Sequence, residues 1–188
     1  MSSVPTASQT VGPFFSIGLS ALYREKIECE PGEGKCVLIR GRVFDGDGQP
    51  VPDAVLEIWQ ACEAAHGDCD QEPSARGEKI PAGFGRIATN ERGEFQFNTV
   101  RPAPRRDEDG LLYAPHLAVV VLMRGLLRHL LTRIYFAGEA TNREDPVLNL
   151  VPPERQQTLL AEPANDGASE LSWDIHLQGE LETVFFEA

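Results

Sequence analysis

The stretch VLIRGRVFDGDGQPVPDAVLEIWQA, residues 37–61, decides the fold. Val37 to Phe44 reads as a strand, because β-branched and aromatic residues recur there without a helical spacing. Asp45-Gly46-Asp47-Gly48 ends it with Asp-Gly dipeptides, which suit tight turns that need positive φ. A second strand is expected from Ala54 to Trp59.

The same grammar continues on the C-terminal side. Gly85 to Thr89 and Glu94 to Val100 flank Asn90-Glu91-Arg92-Gly93, so a second hairpin is expected there. Pro102, Pro104 and the charges from Arg105 to Asp109 form a solvated loop. Leu117 to Met123 is apolar on both faces, the mark of a central strand. His129 to Phe136 alternates, placing His129, Leu131, Arg133 and Tyr135 on one face and Leu130, Thr132, Ile134 and Phe136 on the other. Pro153 to Ala161 opens with a proline followed by helix formers and is expected to be one short helix. Trp173 to Gln178 is a late strand and Val184 to Phe186 an apolar tail. The fold class is therefore all-β: an antiparallel β-sandwich with long loops gathered at one edge. One domain spans residues 1–188, with an N-terminal arm over 1–36 and the sandwich core over 37–188.

The 188 residues carry 29 Asp plus Glu against 17 Lys plus Arg, a net charge of −12. Such a surface repels polyanions and anionic membranes, which argues against nucleic-acid binding. Met1 to Gln9 lacks the basic and apolar regions of a signal peptide, and the run Leu117 to Met123 is too short to span a bilayer, so a soluble cytoplasmic protein is expected. The four cysteines fall as Cys29, Cys36, Cys62 and Cys69. In a reducing compartment, and without the tight pairs of a zinc site, these are expected to be free thiols.

Several motifs in order resemble the intradiol dioxygenase family. Ser8-Gln9-Thr10-Val11-Gly12-Pro13-Phe14-Phe15 opens the series. The strand–turn–strand of residues 41–61 follows, and its Trp59-Gln60-Ala61 ending separates it from transthyretin-like sandwiches that share the rest. Phe84 to Thr89, Ala114-Pro115-His116, His129 to Phe136, Pro146-Val147-Leu148-Asn149 and Glu182-Thr183-Val184-Phe185-Phe186 complete it. Together they cover most of the chain.

The resemblance implies a ferric ion held by two tyrosinates and two histidines, on which a catecholate is opened by O2 between its hydroxyl-bearing carbons. This chain lacks that set. The first tyrosine position falls in the loop His66-Gly67-Asp68-Cys69, and the second, just past Pro104, is Arg105-Arg106. The histidine pair becomes Tyr113-Ala114-Pro115-His116-Leu117-Ala118, leaving His116 as a vestigial ligand position. A lone imidazole does not hold ferric iron, so neither a metal site nor a catalytic residue is expected on this chain. The resemblance then implies an iron-free supporting subunit. Its partner would be a homologous chain carrying Fe3+ in a hetero-oligomer, acting on a small aromatic diol and O2. Thr10, Gly12 and Pro13 of the arm, and Arg133, match the residues that complete the wall of the partner's site. Arg133 is a cation suited to a carboxylated aromatic. Two other readings compete: a transthyretin-like binding or structural sandwich, and a self-sufficient ring-cleaving enzyme with displaced ligands.

Overall fold

The computed structural model describes residues 6–27, 36–60, 72–73, 79–80, 83–164 and 169–187. In chain order the strands are β1 Lys26–Ile27, β2 Cys36–Phe44, β3 Val55–Gln60, β4 Glu72–Pro73, β5 Lys79–Ile80, β6 Phe84–Ala88 and β7 Glu94–Val100. They continue with β8 Arg105–Arg106, β9 Leu112–Tyr113, β10 His116–Leu122, β11 Leu130–Phe136, β12 Leu160–Pro163, β13 Glu170–Ser172 and β14 Ile175–His176. The helices are short: α1 Phe15–Leu19, α2 Pro153–Gln156 and four 3-10 turns. No helix among the described residues is long and apolar enough to cross a membrane.

One sheet runs β1-β7-β2-β13-β12-β11-β10-β3-β6, with β14 beside β2. Its two ends nearly meet, because Arg24, just before β1, exchanges backbone bonds of 2.7 and 3.1 Å with Arg86 of β6. The core lies inside this nearly closed sheet. Ile39 and Val43 of β2, Leu56 and Ile58 of β3, Phe97 of β7, Leu117 and Val119 of β10 and Ile134 and Phe136 of β11 are all fully buried. Burying nine such side chains contributes on the order of 1.5–3 kcal/mol each.

The pairing is mixed, where uniformly antiparallel strands were expected. β2–β7, β3–β6, β3–β10, β10–β11 and β12–β13 are antiparallel, whereas β1–β7, β11–β12, β13–β2 and β14–β2 are parallel. Closing one sheet with a chain whose late strands return beside early ones produces both senses.

The turn at 45–48 forms as read: Asp45 Oδ1 accepts from the amides of Asp47 and Gln49, and Gly48 takes φ 73°. The loop at 90–93 also forms, with Gly93 at φ 69°. It is not a hairpin, however, because β6 joins β3 while β7 joins β2. A turn signal specifies a reversal, not the ladder that follows. Gly41 has a different purpose: a Cβ there would lie 1.7 Å from the Trp173 carbonyl oxygen. At this point β2 changes partner from β13 to β14, and Trp173 N–H donates to the Arg40 carbonyl while Asp174 takes the Arg42 amide.

Other expectations need correction. The helix over 153–161 is only the four residues of α2, followed by a 3-10 turn and then β12, because Leu159 and Ala161 are drawn into the core. The strand over 173–178 shrinks to β14, since Trp173 turns its indole N–H onto the Thr158 carbonyl. β10 is central, but its residues alternate between buried and half-buried. The segment 102–109 is not all loop, as β8 pairs with β9. Cys36 is disulfide-bonded, against the expectation of free thiols; that expectation rested on an assumed reducing compartment, which the residues around Cys36 do not test. Cys29, Cys62 and Cys69 lie outside the described residues, as does the loop containing His66.

Candidate functional site

β10 and β11 build the site. Their register sets His116 opposite Tyr135 and Ala118 opposite Arg133. The two positions where family resemblance expects histidine ligands therefore face an arginine and a tyrosine across the ladder. Trp59 of β3 lies on the other side of Ala118 and is partly exposed.

His116 is largely buried, and its Nδ1 lies 2.7 Å from the Ala114 carbonyl, so this nitrogen carries the proton and donates. Its ring centroid is 5.6 Å from that of Tyr135. Burial first, then the charges of Arg133 and Arg105, hold the His116 pKa below the ordinary 6.5, although the Ala114 bond works the other way. The imidazole is neutral in the folded protein. Its sign follows from linkage: the unfolded chain binds the proton more readily, so this contribution to stability is full above about pH 6.5 and is lost as pH falls through the lowered folded value. His116→Asn is expected to flatten that part of the stability profile, measured as urea midpoints between about pH 7.5 and 5. An unchanged slope would place the titration elsewhere.

Tyr135 is fully buried, on a second small core with Ala114, Leu148, Val151 and Leu159. This covers part of the face that alternation assigns to charge. Its hydroxyl donates to Asp145 Oδ1 at 3.0 Å and accepts from Arg133 Nη1 at 3.3 Å. Burial pushes the phenol well above its ordinary range, so it stays protonated. Asp145, fully buried, also accepts the amides of Val147 and Leu148 on Oδ1 and of Ala114 on Oδ2. Asp145 carried no signal in the sequence, because a buried carboxylate is identified by its donors, and three of these are backbone groups.

The residues do not fit a ferric ion. The chain has three tyrosines. Tyr135 is committed as above, Tyr23 donates to the Ser16 carbonyl at 2.6 Å, and the Tyr113 pKa is raised, first by burial and then by Asp107. Arg105, near the second expected tyrosine position, pairs with Tyr113 in the β8–β9 ladder. Among the described residues no group of three or more His, Cys, Asp or Glu converges on one point.

Of the residues that the resemblance assigns to a partner's site, Thr10 is tied to the link between β10 and β11: its Oγ1 accepts the Gly125 amide at 2.7 Å. The arm and this link border a groove of about 730 Å³ lined in part by Gln9, Val11, Met123, Leu127 and Phe186. Gly12 and Pro13 are exposed, and among the described residues no heavy atom beyond the chain neighbours lies within 4 Å of where a Gly12 Cβ would be. Thr10→Val is expected to free the Gly125 amide at a cost of about 0.5–1.5 kcal/mol, read as faster hydrogen exchange at that amide. Unchanged protection would mean the arm is held by other contacts. Arg133 is half-buried, and among the described residues it makes no ion pair with a carboxylate.

Phe14 is 75 % exposed and Ile17 67 %. The C-terminal tail does not share that exposure: Val184, Phe185 and Phe186 pack half-buried against the cores, and the Phe186 amide donates to the Leu131 carbonyl at 2.7 Å. The apolar surface exposed at the arm therefore does not continue into the tail.

Comparison with known proteins agrees with the fold. The profile of the Dioxygenase family matches residues 11–179. The protocatechuate 3,4-dioxygenase alpha chain of Burkholderia cepacia is 40% identical over 97% of this chain and 96% of its own length. The beta chain from the same organism is 26% identical over 78% of this chain and 66% of its own. Among solved structures, 3-chlorocatechol 1,2-dioxygenase from Rhodococcus opacus 1CP superposes with a TM-score of 0.59 at 23% identity, covering 93% of this chain and 67% of that one. The similarity runs through the arm, β2–β3, β10–β11 and the late strands, well beyond the strand–turn–strand shared with transthyretin-like folds. This chain belongs to the intradiol ring-cleavage dioxygenase family.

Proposed function

We propose that this chain is the iron-free alpha-type subunit of a protocatechuate 3,4-dioxygenase, supporting the O2-dependent opening of 3,4-dihydroxybenzoate to 3-carboxy-cis,cis-muconate. Fe3+ is held by a homologous beta-type partner in a hetero-oligomer. Thr10, Gly12, Pro13 and Arg133 form part of the wall of the partner's site, and this chain contributes no catalytic residue. The domain is single, an arm over 1–36 preceding a sandwich over 37–188, and the enzyme works in the cytoplasm.

One observation carries the reading: the position facing Arg133 across the ladder is Ala118, so a cation faces the place where the resemblance expects a metal ligand. Alanine offers no donor to a metal, whereas the arginine offers a fork of N–H groups to a carboxylated substrate. The exposed Phe14 and Ile17 supply apolar surface for a permanent interface. Alpha and beta chains of Burkholderia cepacia both resemble this chain, which fits a pair of homologous subunits. The experiment is co-expression with a homologous chain bearing the Tyr, Tyr, His, His set. A stable complex should consume O2 faster with protocatechuate than with catechol. No association, or equal rates with the beta-type chain alone, would contradict the proposal.

A further inference from the structure

We propose that Tyr135 and Asp145 are positioning residues that aim the Arg133 guanidinium at the carboxylate of the aromatic substrate, an inference that rests on the subunit reading above. β11 alternation puts Arg133 and Tyr135 on one face, and the small Ala118 opposite Arg133 leaves the guanidinium without a long neighbour across that ladder. Its direction must come from elsewhere. Among the described residues its one hydrogen bond is to the Tyr135 hydroxyl, at 3.3 Å.

A phenol has a single proton, so which side of its oxygen accepts depends on where that proton goes. Here Asp145 decides. Its carboxylate is acceptor-only and is itself fixed by the backbone amides of Ala114, Val147 and Leu148, so it draws the Tyr135 proton along the 3.0 Å bond. The remaining lone pair faces Arg133. One of the five guanidinium N–H groups is thereby engaged, leaving the rest of the fork for a carboxylate. A planar bidentate contact depends on such orientation more than on charge alone. The burial of Tyr135 and Asp145 makes the aim rigid.

The test uses the complex with the iron-bearing chain. Tyr135→Phe removes one hydroxyl and leaves the Asp145 backbone bonds in place. KM for protocatechuate should rise about 3- to 10-fold, the size of one lost hydrogen bond of ordinary strength, with a smaller change for catechol. Binding of 4-hydroxybenzoate, measured by calorimetry without turnover, should weaken by a similar factor, whereas phenol binding should change less. In an Arg133→Ala background, Tyr135→Phe should have no further effect on either ratio. If Arg133→Ala shifts the protocatechuate-to-catechol ratio while Tyr135→Phe does not, the positioning role is overturned and the subunit reading stands. If neither variant shifts it, both fall. Equal losses on both substrates with a lowered Tm, or failure of the variant to assemble, would make Tyr135 a structural residue and overturn the proposal.

Discussion

Asp145→Ala is expected to lower the unfolding free energy by about 3 to 6 kcal/mol, the largest loss anticipated for a single substitution considered for this chain. The carboxylate is fully buried and accepts four hydrogen bonds, from the amides of Ala114, Val147 and Leu148 and from the Tyr135 hydroxyl. Alanine strands all four donors. Each buried donor left unsatisfied costs about 1–3 kcal/mol, and water entry recovers part of the sum. Against a typical total of about 5–15 kcal/mol, this loss threatens the folded state. Asp145→Asn should do less harm, since its amide oxygen in the Oδ1 position still accepts from the Val147 and Leu148 amides and the Tyr135 hydroxyl, leaving only the Ala114 amide without its acceptor. Denaturant midpoints at constant slope measure both. A loss below about 1 kcal/mol for the alanine variant would mean the donors find other partners.

Arg133→Ala is expected to reduce kcat/KM for protocatechuate by about 1.5 to 3 kcal/mol, the range for a hydrogen bond to a charged group, or roughly 10- to 150-fold. The guanidinium is half-buried and, among the described residues, makes no direct ion pair with a carboxylate, so a bound anion would meet a cation whose nearest carboxylate, Asp145, is reached only through the Tyr135 hydroxyl. Catechol lacks the carboxylate and should lose less, which makes the ratio of the two specificities the diagnostic quantity. Complex mass and iron content should stay constant. Failure to assemble would make Arg133 an interface residue. Unchanged turnover of both substrates would remove it from the site.

Local pattern made much of the fold legible. β2 and β7 fall within a residue of the expected Val37–Phe44 and Glu94–Val100, because alternation and flanking glycine turns act over a few residues. What was not legible depends on long-range pairing. The loop at 90–93 looks like a hairpin in sequence, yet β6 and β7 go to different neighbours. Pro153 to Ala161 has helix propensity, but burial of Leu159 and Ala161 ends the helix after Gln156. Around the candidate site, the alternation of β11 that puts Arg133 and Tyr135 on one face was readable, because it is local to one strand. The Asp145–Tyr135–Arg133 chain was not, since Asp145 lies ten residues beyond Tyr135, in the loop between the 3-10 turns Ala140–Arg143 and Leu148–Leu150, where no local pattern places it against β11. The Cys36 disulfide was missed for a different reason: the expectation of free thiols came from an assumed reducing compartment, not from the residues themselves.

The central claim is that this chain supports ring cleavage without holding iron, and iron stoichiometry of the chain purified alone after ferric reconstitution tests it most directly. Tyr23 is hydrogen-bonded to Ser16, Tyr135 is held protonated by burial and by Asp145, and His116 faces no second imidazole because Ala118 occupies that position. The prediction is iron at background level and no visible tyrosinate charge-transfer band, with iron and ring-cleaving activity following the beta-type chain when the two are combined. Stoichiometric iron with that band in the isolated chain would contradict the account.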